Sequence, residues 1–166
     1  GARFYHKTIT TPGTLTFIFA HDASASDSLY NMVQGYYDLS DETIRPDIGS
    51  RNHKELLFPK LRSGYKVGTA GTTGLGRSKT FQLVHWSETA YSPNASEHAA
   101  GILQTVADEN GTEIILESTA NGEGDYFHLA AMQAISGKSD FQLIFIPWYW
   151  QDEYKRDIDD SFALEQ

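Results

Sequence analysis

Strands alternating with helices predict an α/β fold, with a parallel sheet covered on both faces. Three observations carry that expectation. Short apolar runs recur at Leu15–Ala20, Phe81–Trp86, Glu113–Leu116 and Phe141–Ile146. Segments with apolar residues at helical spacing separate most of them. The 166 residues are 40% hydrophobic and 21% charged, the balance of a protein with an ordinary core. A chain of this length buries roughly 70% of its unfolded surface, so no staple is needed.

The elements follow in order. Residues 3–9 read as the end of a helix, stopped by Pro12-Gly13. Leu15-Thr16-Phe17-Ile18-Phe19-Ala20 is short, apolar and rich in β-formers, hence a buried strand. In the helix that follows, Ser24 and Asp27 fit a capping pattern, and Leu29, Met32, Val33 and Tyr36 share a face. Residues 41–66 read as irregular, with hairpin-like pieces at Glu55–Phe58 and Gly64–Val67. A glycine cluster from Gly68 to Gly76 precedes the second strand, Phe81–Trp86. Asn94 and Glu97 can cap a helix with the apolar face Ala99, Ile102, Leu103 and Val106, closed by Asn110-Gly111. Glu113–Leu116 is a third strand. A helix from about Asp125 to Ile135 ends at Gly137, and Phe141–Ile146 is a fourth strand stopped by Pro147. Residues 151–166 carry six acids and read as a linker or a surface helix.

Composition excludes several classes. The sequence has no apolar run near the ~20 residues that a membrane span needs. Zero cysteines remove disulfide scaffolds and thiolate metal sites. The net charge of −9 makes a poor general nucleic-acid binder. The charge is uneven, however. Residues 45–66 hold Arg45, Arg51, Lys54, Lys60, Arg62 and Lys66 against Asp47 and Glu55, a local +4. That stretch reads either as a solvated hairpin or as a local contact with a polyanion.

In open α/β sheets ligands sit beyond the carboxyl ends of the strands. That rule singles out His21-Asp22, Ser87-Glu88, Ser118–Gly122 and Pro147–Trp150. A carboxylate at the position of Glu88 can polarise a water for attack on a phosphoryl group, or can simply be exposed. Ser118-Thr119-Ala120-Asn121-Gly122 offers two hydroxyls, an amide and a glycine, fit to hold a phosphate or to make a turn. Gly71–Ser78 nearly matches the phosphate-binding loop, with Arg77 where the lysine belongs. Such a loop must open a helix, and here a strand follows, so the match is rejected. Arg77 remains a candidate to meet a phosphate, against the reading of an ordinary surface arginine. None of the six histidines forms a short metal pair, and His85 reads as a hydrogen-bonded core residue. Trp148 and Trp150 read as packing residues.

In order and spacing, these segments resemble the ATPase domain of the large terminase subunit of tailed bacteriophages, over most of the sequence. Phe4–Thr8 and Phe17–His21 look like the segment after that family's phosphate loop. Leu83-Val84-His85-Trp86-Ser87-Glu88 looks like its Walker B strand, and Leu116–Gly122 like its coupling motif. Phe145–Trp150 also resembles the family. The resemblance implies a P-loop-NTPase-like (ASCE) three-layer core, with a hairpin-like insertion around 41–66. It implies a partial ATPase core over 1–150, and over 151–166 a linker or surface helix toward a nuclease domain. ATP and Mg²⁺ are the implied cofactors. By the same resemblance Glu88 activates the hydrolytic water, and Ser118, Thr119 and Asn121 sense the γ-phosphate and couple hydrolysis to movement. Gly122 and His21 fall on the nucleotide side, Ser87 on the metal side, and Arg77 acts across subunits. The implied partners are double-stranded DNA, a ring of motor subunits, the portal and the small terminase subunit. The implied location is the cytoplasm of an infected bacterium.

The sequence departs from the family pattern twice. It carries no phosphate loop with lysine and Ser/Thr, and reads as a fragment that begins just after it. This piece alone is therefore expected to hydrolyse ATP negligibly. Ser87 stands where the Walker B aspartate belongs, and a hydroxyl is the weaker Mg²⁺ ligand, so metal there would be held through water. A non-catalytic adaptor or degenerate prophage module with the same fold is the competing reading. A small nucleotide-binding protein using Gly71–Ser78 is a third, and it requires a helix after Ser78.

Overall fold

The apolar periodicity places most of the regular elements correctly. A computed structural model describes residues 1–69 and 80–154. In sequence order the helices and strands are α1 (Ala2–Thr10), β1 (Leu15–Ala20), α2 (Ala23–Leu39), β2 (Ser50–Arg51) and β3 (Glu55–Phe58). There follow β4 (Ser63–Thr69), β5 (Leu83–Ser87), α3 (Ala95–Leu103), β6 (Glu113–Leu116) and α4 (Tyr126–Ile135). They fall into two compact units, Gly1–Leu129 and a second from Ala130.

The first unit is built on one sheet in the order β2-β3-β4-β1-β5-β6. Four strands are parallel: β1 lies between β4 and β5, and β6 flanks β5. β3 and β2 extend the sheet antiparallel to β4. The α/β expectation therefore holds, with one adjustment. The hairpin around 41–66 is no appendage, because its second strand is β4, a direct neighbour of β1.

Alternation along β1 sorts the core into two layers, since successive strand residues face opposite sides. Ile18 packs with Tyr5 and Ile9 of α1, Tyr30, Val33 and Tyr37 of α2, and Leu56, Phe58 and Tyr65 of the hairpin. Phe17 and Phe19 face the other way, against Phe81, Val84 and Trp86, and Ala99 and Ile102 of α3. Phe17 stacks on Phe81 at 4.9 Å between ring centres, and Phe19 meets Trp86 edge-on at 5.0 Å. The sheet is thus covered on both faces, the three-layer arrangement.

Local chemistry sets the ends of the elements. The N-cap of α2 is Asp22, whose Oδ1 accepts the Ala25 N–H at 2.7 Å, in place of the expected Ser24–Asp27 pattern. Asn94 does occupy the N-cap of α3, but its side chain makes no cap bond and its φ is +51°. Gly13, at φ +77°, makes the turn after α1 that Pro12-Gly13 predicts.

The second unit corrects one expectation. Residues 141–147 form no strand. A run of apolar β-formers becomes a strand only when a neighbour takes its backbone N–H and C=O groups. No ladder partner pairs with this run among the described residues. Ile144, Phe145 and Ile146 are all over 70% exposed. Trp148 and Trp150, expected as packing residues, are likewise exposed, in a short 3-10 turn. Of the acidic tail, residues 155–166 lie outside the described residues.

Candidate functional site

The parallel strands place their carboxyl ends along one edge of the sheet. There β1 delivers His21-Asp22, β5 delivers Ser87-Glu88, and β6 delivers Glu117 and Ser118–Gly122. Register makes the alignment specific. Ala20 lies beside Ser87, and Trp86 beside Leu116, so Ser87 and Glu117 are the next cross-strand neighbours.

At Glu88 the backbone leaves the ladder. It is left-handed there, with φ +53° and ψ +45°, and opens a 3-10 turn over Thr89–Tyr91. A residue with a Cβ adopts that conformation at a cost, so something must hold it. The turn is tied to the end of β6 at several points. Thr89 N–H donates to Glu117 C=O at 3.1 Å, and Ala90 N–H to Ser118 Oγ at 3.2 Å. Asn121 Nδ2 donates to Ala90 C=O at 3.1 Å. The Ser118 hydroxyl faces Glu88 Oε2 at 3.4 Å, a long contact. Tyr91 Oη lies 3.3 Å from Ala120 C=O and 3.4 Å from Thr119 Oγ1.

The structure therefore gathers Ser87, Glu88, Ser118, Thr119 and Asn121 around one turn. His21 stands at the rim, its ring 6.4 Å from that of Tyr91, with Nε2 on Asp22 Oδ2 at 2.9 Å. Among the described residues His21 Nδ1 is buried without a hydrogen-bond partner. Gly122, at φ +94°, lets the backbone turn away after Asn121. Arg77, with the whole of Gly71–Ser78, lies outside the described residues. From Thr80 the backbone passes through a bridge at Phe81 into β5, with no helix between. The helix that a phosphate loop there requires is not found among the described residues.

Two residues that sequence reasoning passed over belong to the same edge. Glu117 Oε1 accepts the Ser87 hydroxyl at 2.6 Å and lies 3.3 Å from His85 Nε2. The His85 and Ser87 hydrogen bonds hold the Glu117 carboxyl down to about 2, although half of its side chain is open to solvent. His85 itself is buried, as its strand position implies, with Phe4 of α1 edge-on at 6.4 Å. A signal for Glu117 exists in the sequence: a charged residue directly after a strand, in register with a polar one. Tyr91, which ties the two loops together, carries no such signal.

The basic stretch is less free than its charge suggests. Arg51 binds Asp38 with two nitrogens at 2.7 Å each, Lys60 pairs with Asp47, and Lys66 meets Glu55 at 3.3 Å. Arg45 reaches Glu42 at 3.4 Å. Lys54 and Arg62 make no ion pair among the described residues. The donor set at Glu88 suits a magnesium–nucleotide in part. It offers carboxylate and hydroxyl oxygens, the ligands Mg²⁺ prefers. Among the described residues no three His, Cys, Asp or Glu side groups form a cage. No helix among the described residues is long and apolar enough to cross a membrane.

The fold is a mixed α/β sheet with polar loops gathered at the carboxyl ends of its parallel strands. In a comparison with solved structures, the fold matches the crystal structure of the HK97 bacteriophage large terminase, with a TM-score of 0.60 over 78% of this protein. Identity is 16%, and the match spans 27% of that terminase. No family model matches the sequence, and no curated protein matches it significantly. The protein folds like part of a phage large terminase, as the ordered motifs imply.

Proposed function

We propose that this protein is part of the ATP-hydrolysing motor subunit of a phage terminase, which translocates viral DNA into a procapsid. One observation carries the reading. The strand-end acid Glu88 and the loop Ser118–Asn121 are physically joined through Ala90, whose N–H and C=O bind Ser118 and Asn121. Two motifs far apart in sequence thus form one mechanical unit at the edge where α/β sheets bind ligands.

In this reading Glu88 orients and deprotonates the attacking water. Ser87 would lie on the metal side, its hydroxyl offered to the ion's hydration shell. Ser118, Thr119 and Asn121 report on the far end of the nucleotide, with His21 and Gly122 at the rim. A shift of Glu88 pulls on Ala90 and so on Asn121, which couples chemistry to the loop. When bound, Mg²⁺–ATP supplies the phosphoanhydride and neutralises the charge that develops on it. Residues 1–150 serve as the partial ATPase core, and 151–166 lead onward. Arg77 meets a phosphate of a neighbouring subunit's site, and the subunits act as a ring in the host cytoplasm. Portal and small terminase subunit complete the assembly. DNA contact falls on residues 45–66, with Lys54 and Arg62 as the cations free to make it.

The test is ATP turnover by the whole native gene product that contains these 166 residues. Glu88→Gln should lower the rate at least ~10²-fold, the range for loss of a general base. An unchanged rate removes Glu88 from its role.

A further inference from the structure

Glu88 sits in a conformation that its own carboxylate does little to hold. The polar contact of that carboxylate is the 3.4 Å approach of Ser118. The residues on either side are held much more firmly, and the same residue holds both. Glu117 Oε1 accepts the Ser87 hydroxyl at 2.6 Å. Its backbone carbonyl oxygen accepts the Thr89 N–H at 3.1 Å, and its N–H donates to Trp86 C=O at 3.0 Å. Glu117 therefore grips residues 86, 87 and 89, and leaves 88 to bulge between them.

The geometry points to Glu117 as a positioning residue that keeps Glu88 in its left-handed conformation, acting through Ser87 on one side and Thr89 on the other. The inference rests on the reading of Glu88 as the acid that serves the water. Three features support it. The Ser87–Glu117 bond is charge-assisted, the stronger class of hydrogen bond. Strand parity puts His85, Ser87 and Glu117 on one face of the sheet, so the carboxylate meets both neighbours without a change of backbone. His85 Nε2, 3.3 Å from the same oxygen, fixes Glu117 from its buried side. Without the carboxylate's grip, Ser87-Glu88 is free to relax toward ordinary extended backbone. The Glu88 carboxylate would then swing away from Ser118.

The experiment uses the whole native gene product, with hydrogen exchange and ATP turnover measured on Glu117→Ala, Glu117→Gln and Ser87→Ala. Glu117→Ala should speed amide exchange over residues 87–91 by about tenfold and leave β1 as in the parent, the mark of local opening. It should lower kcat about tenfold with KM within about twofold, as expected for a misplaced catalytic group. Glu117→Gln keeps an acceptor for the Ser87 hydroxyl and should recover at least half of both losses. Ser87→Ala removes the donor, leaves Glu117 intact, and should reproduce the Glu117→Ala exchange pattern even if that variant folds poorly. Unchanged exchange over 87–91 in both alanine variants overturns the inference, as does an equal rise in β1. If Glu88→Gln leaves turnover unchanged, the catalytic reading has failed, and exchange over 87–91 still decides whether Glu117 holds the turn.

Discussion

Replacing Glu88 with glycine separates backbone strain from chemistry. A residue with a Cβ in the left-handed region costs about 1–2 kcal/mol, because the Cβ crowds the following carbonyl. Glycine escapes that penalty but loses about 0.5–1 kcal/mol more conformational entropy on folding. The net gain expected for Glu88→Gly over Glu88→Ala is therefore about 0–1.5 kcal/mol, centred at ~0.75. Other terms nearly cancel, because both variants lose the carboxylate and its long 3.4 Å contact with Ser118. The backbone bond from Tyr91 N–H to Glu88 C=O, at 3.0 Å, survives in each. The assay is urea unfolding of both variants of the 166-residue protein, with midpoints compared at a common slope. Asn94, also left-handed at φ +51°, is an internal control. Asparagine tolerates this region better than glutamate, so Asn94→Gly should gain less. A Glu88→Gly variant less stable than Glu88→Ala refutes the strain argument. Its turnover in the full gene product should match that of Glu88→Ala, since strain contributes nothing once the carboxylate is gone.

Two further perturbations probe the frame that carries the site. Glu113 accepts Arg3 Nε at 2.7 Å and Lys7 Nζ at 2.8 Å, which holds its carboxyl below the ordinary range, Arg3 acting most strongly. A depressed carboxylate stabilises the fold above the unfolded value of ~4.3, and that support fades as pH falls through the folded one. Glu113→Gln should thus lower the thermal midpoint by roughly 2 °C at neutral pH, and the gap should close in acid. A gap that widens on acidification counts against the pairing. Trp86 is 1% exposed, and its indole N–H donates to Ser92 Oγ at 2.9 Å. Trp86→Ala should cost about 3–5 kcal/mol in urea unfolding, and a loss under about 2 would show that the layer beneath α3 can collapse around the gap.

Much of this fold is written in periodicity. The run Leu15–Ala20 alternates between two apolar layers, and both formed, so the central strand was legible from six residues. The helix face Ala99–Ile102 was legible for the same reason. Phe141–Ile146 shows the limit. Its composition matches that of β1, but a strand is a pair property, and composition says nothing about whether a neighbour is there to accept its hydrogen bonds. β4 shows the reverse. Ser63–Thr69 contains two glycines and a lysine, which weaken the local signal, yet it lies beside β1 along most of its length. The strand-end rule proposed Glu88 and Ser118–Asn121 as candidates without any contact information. It could not show that Ala90 joins them, because a backbone bridge leaves no mark in residue type.

The two acids of β6 and its exit show how register divides structural work from site work. Glu113 and Glu117 are four apart, so strand parity sends both carboxylates to the face covered by α1. At the amino end of the strand, Glu113 meets the cations Arg3 and Lys7. That pairing consumes its charge and docks the helix. At the carboxyl end, Glu117 meets a hydroxyl and an imidazole. Those partners hold its carboxylate oxygen at the strand exit. The same residue type on the same face thus fastens a helix at one end of the strand and braces a candidate catalytic turn at the other. The difference lies in which strand end the partner occupies. Parallel strands bring their carboxyl ends, with the loops that follow, to one edge. There the Glu117 carboxylate, held by the Ser87 hydroxyl and the His85 imidazole, stands beside Glu88 at the edge where open α/β sheets bind ligands.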